Sequence, residues 1–588
     1  MVRRSVSTLL VAGAVFLLGM SIAHARTRRE APDQDRDAWM RDISIEQVSF
    51  VMTEASDSRS FRAHGVAVCT LSVSNISTVT RTVRLSASAD PYASMGLIDY
   101  QQSCTLAPGA AALVCFKFLP MSSMYQYLRI AIDGVQKGDI TLSPFPWGFV
   151  SRGDAAPVIF LSPSLPQTAV KYRANNLFAQ LKGSFFGDWT FLDGFVPVAE
   201  WPDQWLAYTP ADCVVLTKEE WETAPPAVRN ALLGFIQAGG GLVLAGATME
   251  EVAHDAFPVG FGAVRALSSP VPEEWTERDF HDLQSAATNP AARWEDIRYK
   301  RQPFPTSNFF SPPSLFPVYV LLLGIMIFLG PVLLAVLARR NIRIRIYWLA
   351  PCIAGAVSVV ILLFALFRDG VSPITSAQSV LYLNGKTHTF VQLSELSIMA
   401  PAGLSSSLHF GPSVEVMPAS REDSLTGKRS VKNGDELVLN NGWVSARIPA
   451  TFLLRDTGAL DIPMLSPDAS AKVTNPYPVP IRRLLYCDGD GNCFALDAPL
   501  APGETTQLTL YPDVSGTMLH IVEDMKDTFY GLRPLTYVSG SYLALPPRHL
   551  LPPGMYLCEF EGTPFLQHPL RKGNVRHTGS TLMLGELP

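Results

Sequence analysis

The sequence predicts a multidomain protein: a β-sandwich, an α/β domain with a parallel sheet, a two-helix transmembrane hairpin and a C-terminal all-β region, in that order. Three observations carry this expectation. Between about residues 43 and 150, apolar and polar residues alternate with period two, as in Val66–Val73, Thr82–Ala87, Ala112–Phe118 and Leu128–Ile132. From Ala155 to Leu267, short apolar strands alternate instead with helical patterns, the order of a parallel α/β sheet. Farther on, the apolar runs Leu315–Leu337 and Tyr347–Phe367 each approach the roughly 20 residues needed to cross a bilayer.

Composition agrees. A chain of 588 residues has room for several cores. Lys plus Arg number 47 against 52 Asp plus Glu, a net charge of −5, so no basic surplus exists to neutralise a phosphate backbone and nucleic acid is not an expected partner. Charged residues are 17% of the chain, fewer than the about 25% usual in soluble domains. Mean hydropathy is +0.17, and the lipid bilayer is accordingly the expected partner.

Taken in order, residues 1–25 read as a signal peptide: Arg3 and Arg4, an apolar run from Val6 to Ile22, then Ala23-His24-Ala25 with small residues at the cleavage positions. Retention as an anchor is the alternative, because Arg26, Arg28 and Arg29 follow closely. Residues 26–42 form a charged linker, and 43–150 the N-terminal β-sandwich with its turn-separated strands. In the α/β region, 151–267, Val158–Leu161, Asp212–Leu216 and Leu242–Ala245 are buried strands. The helix Ala224–Ala238 has proline in its first turn and is stopped by Gly239-Gly240-Gly241.

Residues 268–314 read as a linker, polar and weakly periodic. The first span, 315–337, carries Gly330-Pro331 as a kink, and the second is 347–367; neither contains Asp, Glu, Lys, Arg or His. The loop between them, 338–346, holds Arg339, Arg340, Arg343 and Arg345 and no acid, which places it in the cytoplasm and both large regions outside the bacterial cytoplasmic (inner) membrane. Residues 368–588 return to short strands and turns, including Val380–Leu383, Glu436–Leu439 and Leu508–Leu510.

Trp205–Leu216, followed by Phe235-Ile-Gln-Ala-Gly-Gly-Gly-Leu-Val-Leu244, resembles the class I glutamine amidotransferase-like domains of bacterial membrane-anchored envelope proteins. Pro312–Pro317, Leu329-Gly-Pro331 and the Arg-rich loop resemble the membrane part of the same family, and these stretches with those between them cover about a third of the chain. The resemblance implies a flavodoxin-like α/β domain and an envelope role. Amidotransferases of this type set a Cys nucleophile on a sharp strand-to-helix turn beside a His. Here the turn after Leu244 reads Ala245-Gly-Ala-Thr-Met249, with no Cys.

The weak site candidates in the α/β region are Asp212, Cys213 and His254, with a core cysteine as the competing reading of Cys213. Gly239-Gly240-Gly241 follows a helix, the reverse of a phosphate-cradling order. Asn384-Gly-Lys-Thr387 reads as a hairpin turn. Asp488-Gly-Asp-Gly-Asn492 has the first half of a calcium loop, but Cys493 and Pro499 stand where its Gly and Glu belong. No metal site and no cofactor are expected. Cys487 and Cys493 flank a predicted hairpin tip and are the disulfide candidate; two of Cys69, Cys104 and Cys115 form another possible pair.

An internal echo remains: Val73-Ser-Asn75 precedes Leu106-Ala-Pro-Gly109, and Val473-Thr-Asn475 precedes Leu500-Ala-Pro-Gly503. Duplication of one sandwich would produce it, as would recurrent turn sequences. The functional expectation is a non-catalytic, membrane-anchored envelope protein that binds or scaffolds, with an envelope or membrane-protein partner. The alternatives are an envelope hydrolase or transferase using the α/β domain, and an accessory subunit of a transport complex.

Overall fold

The structure is a computed structural model with side chains. It describes residues 41–48, 65–89, 98–118, 126–142, 157–178, 189–194, 196–254, 260–287, 316–327, 331, 335, 339, 347–348, 351–359, 372–400, 404, 406–418, 429–440, 442–459, 464–468, 470–510, 553–571 and 575–587. The signal peptide read at 1–25 lies outside the described residues, as do most of 26–42 and of the Arg-rich segment 338–346.

The N-terminal strands are β1 (Ile43–Val48), β2 (Ala67–Asn75), β3 (Arg81–Ala89), β4 (Ile98–Leu106), β5 (Ala111–Phe118), β6 (Gln126–Ile132) and β7 (Val135–Leu142). They form two facing sheets, β1-β2-β5 and β4-β3-β6-β7. Leu71, Val73, Val83, Leu85, Phe116 and Ile130 point inward between them, as strand alternation requires.

The middle region runs β8 (Val158–Leu161), α1 (Gln167–Phe178), β9 (Thr190–Asp193), β10 (Cys213–Thr217), α2 (Lys218–Thr223), α3 (Pro226–Gln237), β11 (Gly241–Ala245), α4 (Met249–His254), β12 (Ala263–Leu267) and α5 (Glu277–Ala287). Its strands are parallel in the order β12-β11-β10-β8-β9. β8, β10 and β11 are buried throughout, so their sequences are continuous apolar runs. α5 lies in the stretch read from sequence as a linker. Thr276 and Asp279 cap it reciprocally, and Phe280, Leu283 and Ala286 bury its apolar stripe.

The C-terminal strands are β13 (Ile374–Asn384), β14 (Thr389–Met399), β15 (Leu408–Phe410), β16 (Glu415–Pro418), β17 (Arg429–Lys432), β18 (Leu437–Asn440), β19 (Ala450–Ala459), β20 (Lys472–Thr474), β21 (Ile481–Cys487), β22 (Cys493–Ala495), β23 (Thr505–Gln507), β24 (Thr509–Leu510), β25 (Met555–Glu561) and β26 (Arg576–Glu586). β17 pairs parallel with β4, so β15-β18-β17 extends the N-terminal sheet. The hairpin β13–β14 is the spine of the molecule. Its Leu396 and Ile398 join the N-terminal core, Val391 and Leu393 the core beneath the parallel sheet, and Leu381 and Leu383 the C-terminal core.

The N-terminal arrangement occurs twice. β22-β21-β25-β26 repeats β4-β3-β6-β7, and β20–β23 repeats β2–β5. Register repeats too: Ser74 faces Ala111 as Thr474 faces Thr505, and Arg81 faces Leu106 as Ile481 faces Leu500. In the first copy, β1 covers the outer edge of β2 and the Ile76 amide donates to the Asp42 carbonyl. Pro476 stands at that position in the second copy, and the Lys472 amide and carbonyl are bonded by Asp468, which blunts the edge.

This architecture corrects the expected fold class. The described residues are mostly β-sheet, the helices are short with α1 and α3 the longest of their region at 12 residues, and no described helix is long and apolar enough to cross a membrane. The two-helix transmembrane hairpin is overturned. The described helix in its first span is α6 (Phe316–Ile327). Nothing in the described structure therefore supports a membrane anchor.

A separate flavodoxin-like domain is likewise overturned. The α3 side of the parallel sheet closes on Val380, Val391, Leu393, Met417 and Leu453 of the C-terminal sheet, so this layer is one part of a larger β structure. Alternating strand and helix patterns report local connectivity. They do not report which distant strands close the core.

Candidate functional site

The amino ends of the parallel strands gather two of the sequence candidates. Asp212 precedes β10: its amide donates to the Val158 carbonyl at 2.8 Å, its Oδ2 accepts from the Val158 amide at 2.7 Å, and its carbonyl accepts from the Gly241 amide at 2.9 Å. It thus ties β8, β10 and β11 together. Cys213 is fully buried among Ile159, Val215, Val243 and Ala286, and burial pushes its thiol far above the ordinary range. A Cβ placed on Gly241 would lie 3.2 Å from Cys213 Sγ and 2.6 Å from the Ala286 carbonyl oxygen, so the thiol is roofed by packed backbone. The third candidate, His254, is the last residue of α4.

The glycine run after α3 is a helix stop. Gly239 has φ +112°, and the amides of Gly239 and Gly240 each bond back to α3 carbonyls at 2.9 Å. Asn384 Oδ1 accepts from the Lys386 and Thr387 amides, closing the β13–β14 turn. Cys487 and Cys493 form a disulfide across the β21–β22 hairpin, with Cα atoms 4.3 Å apart. Within its tip, Asp488 Oδ1 accepts from the Asp490 and Asn492 amides, and Oδ2 from Asn492 Nδ2. The carboxylate is spent on its own turn. Among the described residues no group of three His, Cys, Asp or Glu side chains is placed to hold a metal.

A small, mostly apolar cleft that sequence reasoning missed lies where the spine meets the loops of both sandwiches. Gln392 and Ser394 of β14 and Asp456 of β19 form its floor; Phe410, Gly411 and Val414 form one wall, and Leu566 and Gln567 of the β25–β26 loop the other. The enclosed volume is about 20 Å³, room for about one water-sized group. Beneath it, the Gln392 amide donates to Ser379 Oγ at 3.3 Å and Ser394 Oγ at 3.1 Å, and the two hydroxyls bond each other at 2.7 Å.

Asp456 Oδ1 accepts from Ser413 Oγ at 3.1 Å. Burial pushes its carboxyl up to about 6, against the pull of hydrogen bonds from Ser413 and the Thr457 backbone. The Ser413 carbonyl in turn accepts from Trp205 Nε1 at 3.1 Å, linking the cleft to the parallel-sheet layer. Polar residues interrupting the buried strand Phe390-Val-Gln-Leu-Ser-Glu-Leu396 were the available sequence signal.

No protein-family model matches the chain, and no curated protein matches it. Among solved structures, an alkylpurine DNA glycosylase from Pseudomonas fluorescens bound to abasic-site DNA aligns at 7% identity and a TM-score of 0.13, over 17% of this chain and 30% of that one. A mutant β-glucosidase from Listeria innocua in complex with laminaribiose aligns at 9% identity and a TM-score of 0.14, over 18% of this chain and 16% of that one. The aligned parts span less than a third of either neighbour's length, and likenesses this slight carry no argument about fold or function.

Proposed function

We propose that this chain is a non-catalytic binding or scaffolding protein of an oxidising, extracytoplasmic compartment, holding an envelope or membrane-protein partner at the junction of its two sandwiches. The observation that carries the reading is the burial of Cys213: the nucleophile candidate of the parallel-sheet region is core packing, whereas the cleft lies at a junction built from four chain segments. The Cys487–Cys493 disulfide supports the compartment, because such bonds persist where thiols are not kept reduced.

Crosslinking in intact cells followed by purification of the full chain tests this, with Cys213→Ser alongside the parent. Deleting the parallel-sheet region would be uninformative, because it supplies one side of a shared core. The reading expects the same stoichiometric partner with both proteins. Absence of a partner from both, or a substrate adduct on Cys213 that the serine variant lacks, would overturn it.

A further inference from the structure

We infer that residues 562–571 of the β25–β26 connection form an acid-released latch: the stacked imidazoles of His568 and His577 hold it across the junction of the two sandwiches near neutral pH, and their joint protonation lets it go. This goes beyond the binding reading and stands whether or not a partner occupies the junction. The latch reaches into both cores. Phe565 packs edge-on against Tyr477 and Phe560 of the C-terminal core at 5.5 and 5.6 Å, and Leu570 is buried in the N-terminal core. Between them, the Pro569 carbonyl accepts from the His409 amide of β15 at 2.9 Å, and Leu566 and Gln567 wall the cleft. His568 lies amid these anchors, its ring centroid 3.7 Å from that of His577 at the start of β26, with 33° between the planes.

Two stacked imidazoles tolerate one proton but not two. Neutral rings attract by stacking and a singly protonated pair by cation–π contact, whereas two protons set like charges at that short separation. His568 also lacks an acceptor for the added proton: its Nδ1 is buried with no hydrogen-bond partner, and an imidazolium donates from both nitrogens. His577 is the exposed member of the pair, and its Nδ1 lies 2.6 Å from the Thr375 hydroxyl of β13, which fixes the ring against His568. Among the described residues no carboxylate makes an ion pair with either ring. Arg576 precedes His577 and by strand alternation belongs to the other face.

Arg571 is the other cation of the latch. Glu436 accepts from it and lies 3.1 Å from His409 Nδ1. Hydrogen bonds from His409 and Arg571 hold the Glu436 carboxyl below the usual carboxylate range, so it stays ionised while the histidines charge, and this cluster fastens the far end of the latch as 566–570 lifts. Burial, with His577 beside it, holds His568 down to about 4, and burial lowers His577 as well. Folded values below the ordinary 6.5 mean that closure is fully favoured above 6.5 and weakens as pH falls toward about 4.

Hydrogen exchange of the full chain at about pH 7 and about pH 4.5, read by mass spectrometry and corrected for the intrinsic rate at each pH, tests the latch. The expected result is protection of 563–571 at least about tenfold lower at the acid pH, with the β13–β14 spine unchanged. His568→Phe keeps a flat ring on His577 and takes up no proton, so its latch should be equally protected at both pH values. His577→Phe, at an exposed position, makes the same test if the first variant fails to fold, which circular dichroism checks. Unchanged protection of 563–571 in the parent, the same acid loss in either Phe variant, or an equal loss along the spine, which is global acid unfolding, would overturn the proposal.

Discussion

Asn75 and Asn475 make the same hydrogen bonds at equivalent corners of the two sandwiches. The Asn75 amide nitrogen donates to the carbonyls of Val79 and Leu106, and its Oδ1 accepts from the Ser77 amide. The Asn475 nitrogen donates to Val479 and Leu500, and its Oδ1 accepts from the Tyr477 amide. Each backbone carbonyl accepts from a glycine amide, Gly109 or Gly503, at 2.9 Å. Those glycines have φ +72° and +73°, the left-handed conformation that favours glycine, so each Leu-Ala-Pro-Gly turn is locked onto its asparagine.

Replacing either asparagine by alanine removes the amide donors and the Oδ1 acceptor that tie the corner together, although the Val79 carbonyl keeps the Ser77 hydroxyl and the Leu500 carbonyl keeps the Ile481 amide. Asn75→Ala and Asn475→Ala are each expected to lower stability by about 2–3 kcal/mol, read from the midpoint of urea unfolding. Changes within about 0.5 kcal/mol in either variant would show that the corners are not structural keystones.

Arg455 and Glu415 form a buried ion pair, with the guanidinium also bonded to the Ala238 carbonyl and seated 5.8 Å from the Trp205 ring centroid. It joins β19 and β16 to the parallel-sheet layer. Arg455→Ala should therefore cost about 3–5 kcal/mol by stranding a buried carboxylate, whereas Arg455→Met combined with Glu415→Leu should lie within about 1–2 kcal/mol of the parent. A double variant as unstable as the single one would contradict this.

Glu395 is buried with no hydrogen-bond partner on either carboxylate oxygen, and burial raises its carboxyl from 4.5 to about 7. The folded pKa exceeds the unfolded one. Its contribution to stability is therefore fully present below pH 4.5 and is lost as pH rises through 7. Glu395→Met should remove that loss and be more stable than the parent at pH 8 by on the order of 1–3 kcal/mol, with a smaller difference at pH 5. Parallel stability–pH curves for the two proteins would sink the argument.

Thiol labelling reports the compartment. In intact cells without reductant, a maleimide should modify the exposed Cys352 and leave Cys487 and Cys493 unlabelled; Cys213 and Cys558 are buried and should react only after unfolding. Labelling of Cys487 and Cys493 without reductant would remove the support for an oxidising location.

The sequence made local pattern legible and long-range closure illegible. Alternation along Val66–Val73 and Thr82–Ala87 reflects strands with one face in the core, and the continuous run Val158–Leu161 reflects a strand buried on both. The paired Asn and Leu-Ala-Pro-Gly signals mark corners that demand particular residues. β13 and β14, by contrast, show mixed polar and apolar runs because three cores meet on them, and no local period encodes that. The apolar run 315–337 was long enough for a span by composition, yet no described helix is long and apolar enough to cross a membrane. The cleft escaped notice because its lining comes from four chain segments that only the fold brings near.

The most direct test of the central claim, that the chain works by binding at the junction of its sandwiches, is site-specific photocrosslinking in intact cells. A photoreactive residue at Gln567, on the rim of the Asp456 cleft, is compared with one at Leu113, which is exposed on the N-terminal sandwich. One discrete stoichiometric adduct at Gln567 and none at Leu113 is the predicted result. Equal adducts at both positions, or none at Gln567, would contradict the claim.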